Sequence, residues 1–261
     1  MPESYYAIKR FRHLSIFETG MMGRSTRFRS LNLNNIDSYL RNQREPAMAT
    51  LLQNGQILLF IGDSITDCDR RTTERPLGNG YVKIFYDLLM MREPAKKIHI
   101  LNKGISGDRV TGLQTRWQDN VLRNQPDWLV IKIGINDLNS YLTGSPDGVS
   151  PELFRQTYDE ILGRTQPCLP NCQILLITPF YISIDDSTNS YRREVLELLP
   201  QYINTVQVMS QKYQTRFLNA HQLFQQLLKY HEPETFCPEP IHPNFTGHLT
   251  LAEAVYSALS E

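Results

Sequence analysis

The chain has 261 residues, 41% of them hydrophobic, and its 27 Lys and Arg balance its 27 Asp and Glu. Such a length buries a substantial core in one or two domains, and the balanced charge excludes a global field drawing the protein to nucleic acid or an anionic membrane. No apolar run approaches the roughly 18 residues a membrane span needs, and no basic-then-apolar signal peptide opens the chain, so a cytoplasmic protein without membrane insertion is expected.

Residues 1–50 carry eight Lys and Arg from Lys9 to Arg44, few acids and no sustained periodicity. They read as a partly ordered extension ahead of a single domain over 51–261. A targeting arm and a translation start at Met48 are the alternatives. From there short apolar runs alternate with longer amphipathic stretches, the pattern of parallel strands joined by crossover helices. Strands are expected at 56–61, 97–101, 128–133, 173–178 and 216–219. Helices are expected at 81–91, 110–122, 151–162, 193–212 and 246–259, with a polar loop around 139–150. The fold class is therefore α/β, a three-layer α/β/α sandwich on a five-stranded parallel sheet. Ligands of such sheets bind at the carboxyl ends of the strands, near the topological switch point.

The polar candidates fall on that edge. Ser64 follows the first strand in Gly62-Asp63-Ser64, where a strand-to-helix turn would expose its hydroxyl; a plain helix N-cap is the competing reading. Serine needs a base, and among six histidines His242 stands out because Glu239 lies three residues before it, close enough for a carboxylate to fold back onto Nδ1. His248 is expected to pack at the start of the last helix, and His99, His221 and His231 to be structural or on the surface. Asp63 is expected to brace its own turn. An oxyanion needs preorganised donors. The Ser64 amide, the Gly107 amide in Asn102-Lys103-Gly104-Ile105-Ser106-Gly107-Asp108 and the Asn136 side chain in Gly134-Ile135-Asn136-Asp137 are the candidates, each loop being otherwise an ordinary βα turn. Neither loop has the spacing of a phosphate-binding motif. The four cysteines, Cys68, Cys168, Cys172 and Cys237, are expected as free thiols, and no Cys or His grouping has zinc-ligand spacing, so no metal is expected.

Taken together, the blocks Phe60-Ile61-Gly62-Asp63-Ser64-Ile65-Thr66-Asp67, Asn102 to Asp108, Gly134 to Asp137 and Glu239-Pro240-Ile241-His242-Pro243 resemble the SGNH (GDSL) hydrolases over residues 52–261. The resemblance implies a flavodoxin-like sandwich and a serine ester hydrolase with Ser64, Glu239 and His242 as catalytic residues. Glu239 departs from the family pattern, which has Asp three residues before the histidine. Asp67-Cys68-Asp69-Arg70 and Leu77-Gly78-Asn79-Gly80-Tyr81 resemble the branch that holds bacterial acetylxylan esterases.

The chemistry implied is two-step acyl transfer without a metal or organic cofactor. The polar 139–150 segment and the aromatics Phe180 and Tyr181 suggest a small, partly aromatic pocket for short acyl groups, acetyl on a sugar hydroxyl first, with Asp67 and Arg109 as further substrate contacts. Partners are then a small ester or acetylated saccharide, and a homo-oligomer is a possibility carried by the resemblance. The alternatives are a lysophospholipase or thioesterase and, from another class, a non-catalytic binding protein that kept the fold.

Overall fold

The computed structural model describes residues 49–185, 187–188 and 190–260. The extension expected over 1–50 lies outside the described residues except for its last two. Of those, Thr50 is buried and belongs to the domain: its backbone and side chain both donate to the Glu93 carboxylate, at 3.0 and 2.8 Å.

Five strands form one parallel sheet: β1 (Ile57–Gly62), β2 (His99–Asn102), β3 (Trp128–Lys132), β4 (Gln173–Ile177) and β5 (Arg216–Leu218). Their order is β2-β1-β3-β4-β5, and every neighbouring pair runs parallel. β1 and β3 are apolar on both faces because both faces are covered, as parallel sheets require. Alternation sorts their side chains: Phe60 and Val130 face one layer, Leu59, Ile61, Leu129 and Ile131 the other.

Eight α-helices of the described residues complete the layers: α1 (Ser64–Asp67), α2 (Tyr81–Arg92), α3 (Val110–Asn120), α4 (Ile135–Leu142), α5 (Pro151–Cys168), α6 (Tyr191–Tyr213), α7 (Ala220–Leu227) and α8 (Phe245–Ala258). α2, α7 and α8 cover the Phe60 face with Phe85, Phe224, Leu251 and Val255; α3 to α6 cover the opposite face with Trp117, Phe154, Tyr158 and Tyr202. Each such side chain contributes roughly 1.5–3 kcal/mol by leaving water, so the sheet is held from both sides. The sandwich and its strands agree with the sequence reading.

Three helical features differ from that reading. α5 continues past Leu162 to Cys168, because Thr165 is buried and its hydroxyl accepts from Trp117 Nε1 at 2.9 Å, extending the inward face another turn. α4 replaces a loop directly after β3, and α7 was not foreseen. Both have only eight residues, too short for helical periodicity to declare itself.

The chain leaves β1 for β2 on one side and returns to β3 on the other, which puts the switch point between β1 and β3. Ser64 follows β1 and Asn136 follows β3, so both stand at that crevice.

Candidate active site

Asp63 caps α1: its Oδ1 accepts from Ile65 N at 3.0 Å, and its carbonyl accepts from Asp67 N at 2.8 Å. Ser64 is thereby the first residue of a one-turn helix that leaves the sheet abruptly. Its Oγ lies 2.8 Å from His242 Nε2.

His242 sits in a loop held by prolines on either side of Glu239 and pinned where Ile182 N donates to Pro240 O at 2.8 Å. The Glu239 carboxylate folds back on its own loop. Oε2 accepts from Ile241 N at 2.9 Å, and Oε1 accepts from His242 N at 2.8 Å and lies 2.5 Å from His242 Nδ1. A carboxylate only accepts, so the Nδ1 proton points to Glu239 and Nε2 is left to accept from the Ser64 hydroxyl. The extra methylene of Glu is absorbed by the tight return over three residues, and the charge reaches the imidazole.

The loop after β2 is fixed by buried polar groups. Asn102 Nδ2 donates to the carbonyls of Thr66 and Leu77 at 2.6 and 2.7 Å, and its Oδ1 accepts from Gly104 N at 2.9 Å. A Cβ at Gly104 would lie 2.3 Å from Asp67 N, so only glycine allows this loop to approach α1 so closely. Gly107 has φ +80°, a left-handed conformation that glycine adopts without strain. Asn136 lies in the first turn of α4, and its Nδ2 donates to Asp108 O at 3.0 Å, which leaves its second N–H for a ligand.

Ser64, Gly107, Asn136 and His242 line one depression of about 530 Å³, together with Ile65 and His248. His248 is buried and its Nδ1 accepts from Tyr81 N at 3.2 Å. Burial first, then the Lys132 charge, pushes its pKa down to about 4, so it is a neutral wall of the site. Nε2 faces Cys68 Sγ at 3.5 Å, and burial drives that thiol up to about 12, so no thiolate competes with Ser64. The four cysteines are unpaired.

Four further candidates do not line the depression. Asp67 is 4% exposed and acts as a brace: Oδ2 accepts from Ser106 N at 2.9 Å and Ser106 Oγ at 3.0 Å, and pairs with Arg71 at 3.1 Å. Arg109 turns away to Asp147, donating to its carbonyl at 2.7 Å and pairing with its carboxylate. Phe180 is fully buried against Phe224, with ring centroids 4.9 Å apart, and Tyr181 is buried in the opposite core layer. Neither ring lines the depression, because both are spent on the core.

The sequence reading missed Lys132, which pairs with Asp63 next to Ser64, and Asn102, which ties the β2 loop to α1. A lysine at an inward position of an otherwise apolar strand was the available signal for the first. Among the described residues, no three His, Cys, Asp or Glu side chains are grouped to share a metal ion, and no helix is long and apolar enough to cross a membrane.

A parallel sheet in the order 2-1-3-4-5, with a serine, histidine and carboxylate linked in series at its carboxyl edge, has the architecture of a serine hydrolase on a flavodoxin-like sandwich. The chain belongs to the GDSL-like lipase/acylhydrolase family, whose model matches residues 60–249. It is a carboxylic ester hydrolase, and the non-catalytic alternative gives way to that membership. It is similar to an acetylxylan esterase of Geobacillus stearothermophilus, 34% identical over 211 residues that span 77% of this chain and 92% of the relative. The crystal structure of that enzyme, Axe2, superposes with TM-score 0.70 at 33% identity, covering 79% of this chain and 95% of the other. Catalytic mutants of Axe2 carry alanine in place of a serine, an aspartate and a histidine. LAE5, an alpha/beta hydrolase enzyme from the metagenome of Lake Arreo in Spain, gives TM-score 0.71 at 28% identity, covering 80% and 96%.

Proposed function

We propose that this esterase releases short acyl groups, acetyl first, from saccharide hydroxyls, with Ser64 as nucleophile, His242 as general base and acid, and Glu239 as its partner. Ser64 Oγ gives its proton to His242 Nε2 as it attacks the ester carbonyl, and the imidazolium that forms is stabilised by Glu239. The amides of Ser64 and Gly107 and the Asn136 side chain receive the oxyanion, each donor contributing on the order of 3 kcal/mol. His242 then protonates the leaving sugar alcohol, and a water activated by the same imidazole releases acetate.

The observation that carries this reading is the Ser64–His242–Glu239 series, 2.8 and 2.5 Å long, opening onto the depression lined by Ile65, Gly107, Asn136 and Pro243. The acetylxylan esterase relative points to the same substrate class. The test is a panel of acetyl, octanoyl and palmitoyl p-nitrophenyl esters alongside acetylated xylo-oligosaccharides. Rates falling with acyl length and acetate released from the saccharide are expected; a maximum at palmitoyl overturns the assignment.

A further inference from the structure

Lys132 ends β3 on the same face as Trp128 and Val130, a position that alternation assigns to the core. It is fully buried, as is Asp63, and its Nζ lies 3.0 Å from Asp63 Oδ2 and 3.3 Å from Oδ1. The ammonium also lies 4.9 Å from the centroid of the Phe180 ring, whose negative face attracts it. A buried ion pair is a poor device for stability alone, since an apolar pair of similar volume often serves as well or better. Its location suggests another use.

Asp63 immediately precedes Ser64. One of its carboxylate oxygens holds Ile65 N, and its carbonyl holds Thr66 N and Asp67 N at 3.1 and 2.8 Å. These bonds engage the later amides of the turn and leave the Ser64 N–H without an acceptor among the described residues, in the place where an oxyanion donor is wanted. The direction of that N–H, and of the Ser64 hydroxyl, depends on how firmly the Asp63 side chain is held. Lys132 does the holding. An unpaired Asp63 would also place a buried negative charge beside a developing oxyanion, and the ammonium cancels it.

We propose that Lys132 is a positioning residue for the nucleophile: its buried ammonium fixes the Asp63 carboxylate and, through it, the turn that presents the Ser64 hydroxyl and amide to the ester. This rests on the reading of Ser64 as nucleophile. Removal of the ammonium slows acylation without changing the depression in which a small ester binds.

The experiment measures Tm, the acylation rate and KM with p-nitrophenyl acetate, and fluorophosphonate labelling mapped to Ser64, on the full chain. The variants are Lys132→Met, the double variant Asp63→Asn/Lys132→Met, and Ser64→Ala as control. Lys132→Met is expected to lose Tm and at least about 100-fold in acylation rate, with KM changed by less than about threefold. The double variant, which leaves no unpaired charge, is expected to regain most of the Tm yet stay at least about tenfold slow in acylation. It carries the test if the single variant does not fold. Parental labelling in Lys132→Met, or acylation that recovers in step with Tm in the double variant, overturns the proposal and leaves the nucleophile standing. Continued acylation of Ser64→Ala overturns both.

Discussion

Glu239 Oε1 receives two hydrogen bonds from one residue, His242, through its backbone N at 2.8 Å and its ring Nδ1 at 2.5 Å. A single oxygen thus sets both the position of the loop and the tautomer of His242. With Ile241 N on Oε2, the carboxylate accepts three donors.

Glu239→Gln retains only one acceptor oxygen. If that oxygen takes the place of Oε1, the new NH₂ confronts Ile241 N–H; if it takes the place of Oε2, His242 loses its partner. We expect kcat to fall about 10²- to 10⁴-fold with little change in KM for a small ester. Glu239→Asp keeps the charge and restores the family's usual acid, but it is one methylene shorter than the carboxylate this proline-framed loop is built around, and an intermediate loss is expected. Steady-state kinetics on p-nitrophenyl acetate would show the order parent, Asp, Gln; equal rates for Gln and parent would contradict the relay.

Asn136→Ala removes one of the proposed oxyanion donors and also the bond to Asp108 O that aims it. The expected loss is about 10²- to 10³-fold in kcat. At Gly107 an added Cβ meets nothing within 4 Å, so Gly107→Ala suffers from its φ of +80° and not from a clash. Conformational strain there is about 1–3 kcal/mol, and the loop is expected to relax and withdraw its amide. Kinetics and thermal melts of the two variants should diverge: Asn136→Ala loses kcat with little Tm, and Gly107→Ala loses both. An Asn136→Ala enzyme with parental kcat would remove Asn136 from the hole.

Asp137 follows Asn136 and is buried, with Oδ1 accepting from Val110 N at 2.8 Å and Oδ2 facing no donor among the described residues. Burial pushes its pKa up from 3.8 to about 7, against the opposing pull of Val110 N–H. Between those values the unfolded chain has released a proton that the folded protein keeps, so this group makes stability fall as pH rises through the window and level off above it. His221 and His248 act in the opposite sense: burial lowers both from 6.5 to about 4, so they cost stability as pH drops across that range. Comparing Asp137→Asn with the parent isolates the carboxyl. The variant's Tm, relative to the parent, is expected to rise by at least about 4 °C between pH 5 and pH 8; a pH-independent difference would contradict the raised pKa.

The sheet was legible because fully buried parallel strands write continuous apolar runs such as Leu58 to Ile61. That Ser64, Gly107, Asn136 and His242 would meet on one edge, with Glu239 against His242, was legible because each follows a strand or stands in a proline-framed loop whose spacing constrains reach. α4 and α7 were hidden by their brevity. The partners of Asp67 and Arg109 were not legible, because a charged residue beside a motif serves equally as brace or as contact: Ser106 and Arg71 hold the one, Asp147 the other. Phe180 illustrates the same limit for aromatics, since its place in the sequence after β4 gives no sign that Phe224 lies against it.

The central claim is that the Ser64 hydroxyl, 2.8 Å from His242 Nε2, is the group acylated by substrate. The most direct measurement is p-nitrophenyl acetate hydrolysis by purified parent and Ser64→Ala proteins, with fluorophosphonate labelling mapped by mass spectrometry. The account predicts a loss of at least about 10³-fold in kcat and label on Ser64 alone in the parent. Hydrolysis by Ser64→Ala at the parental rate would contradict it.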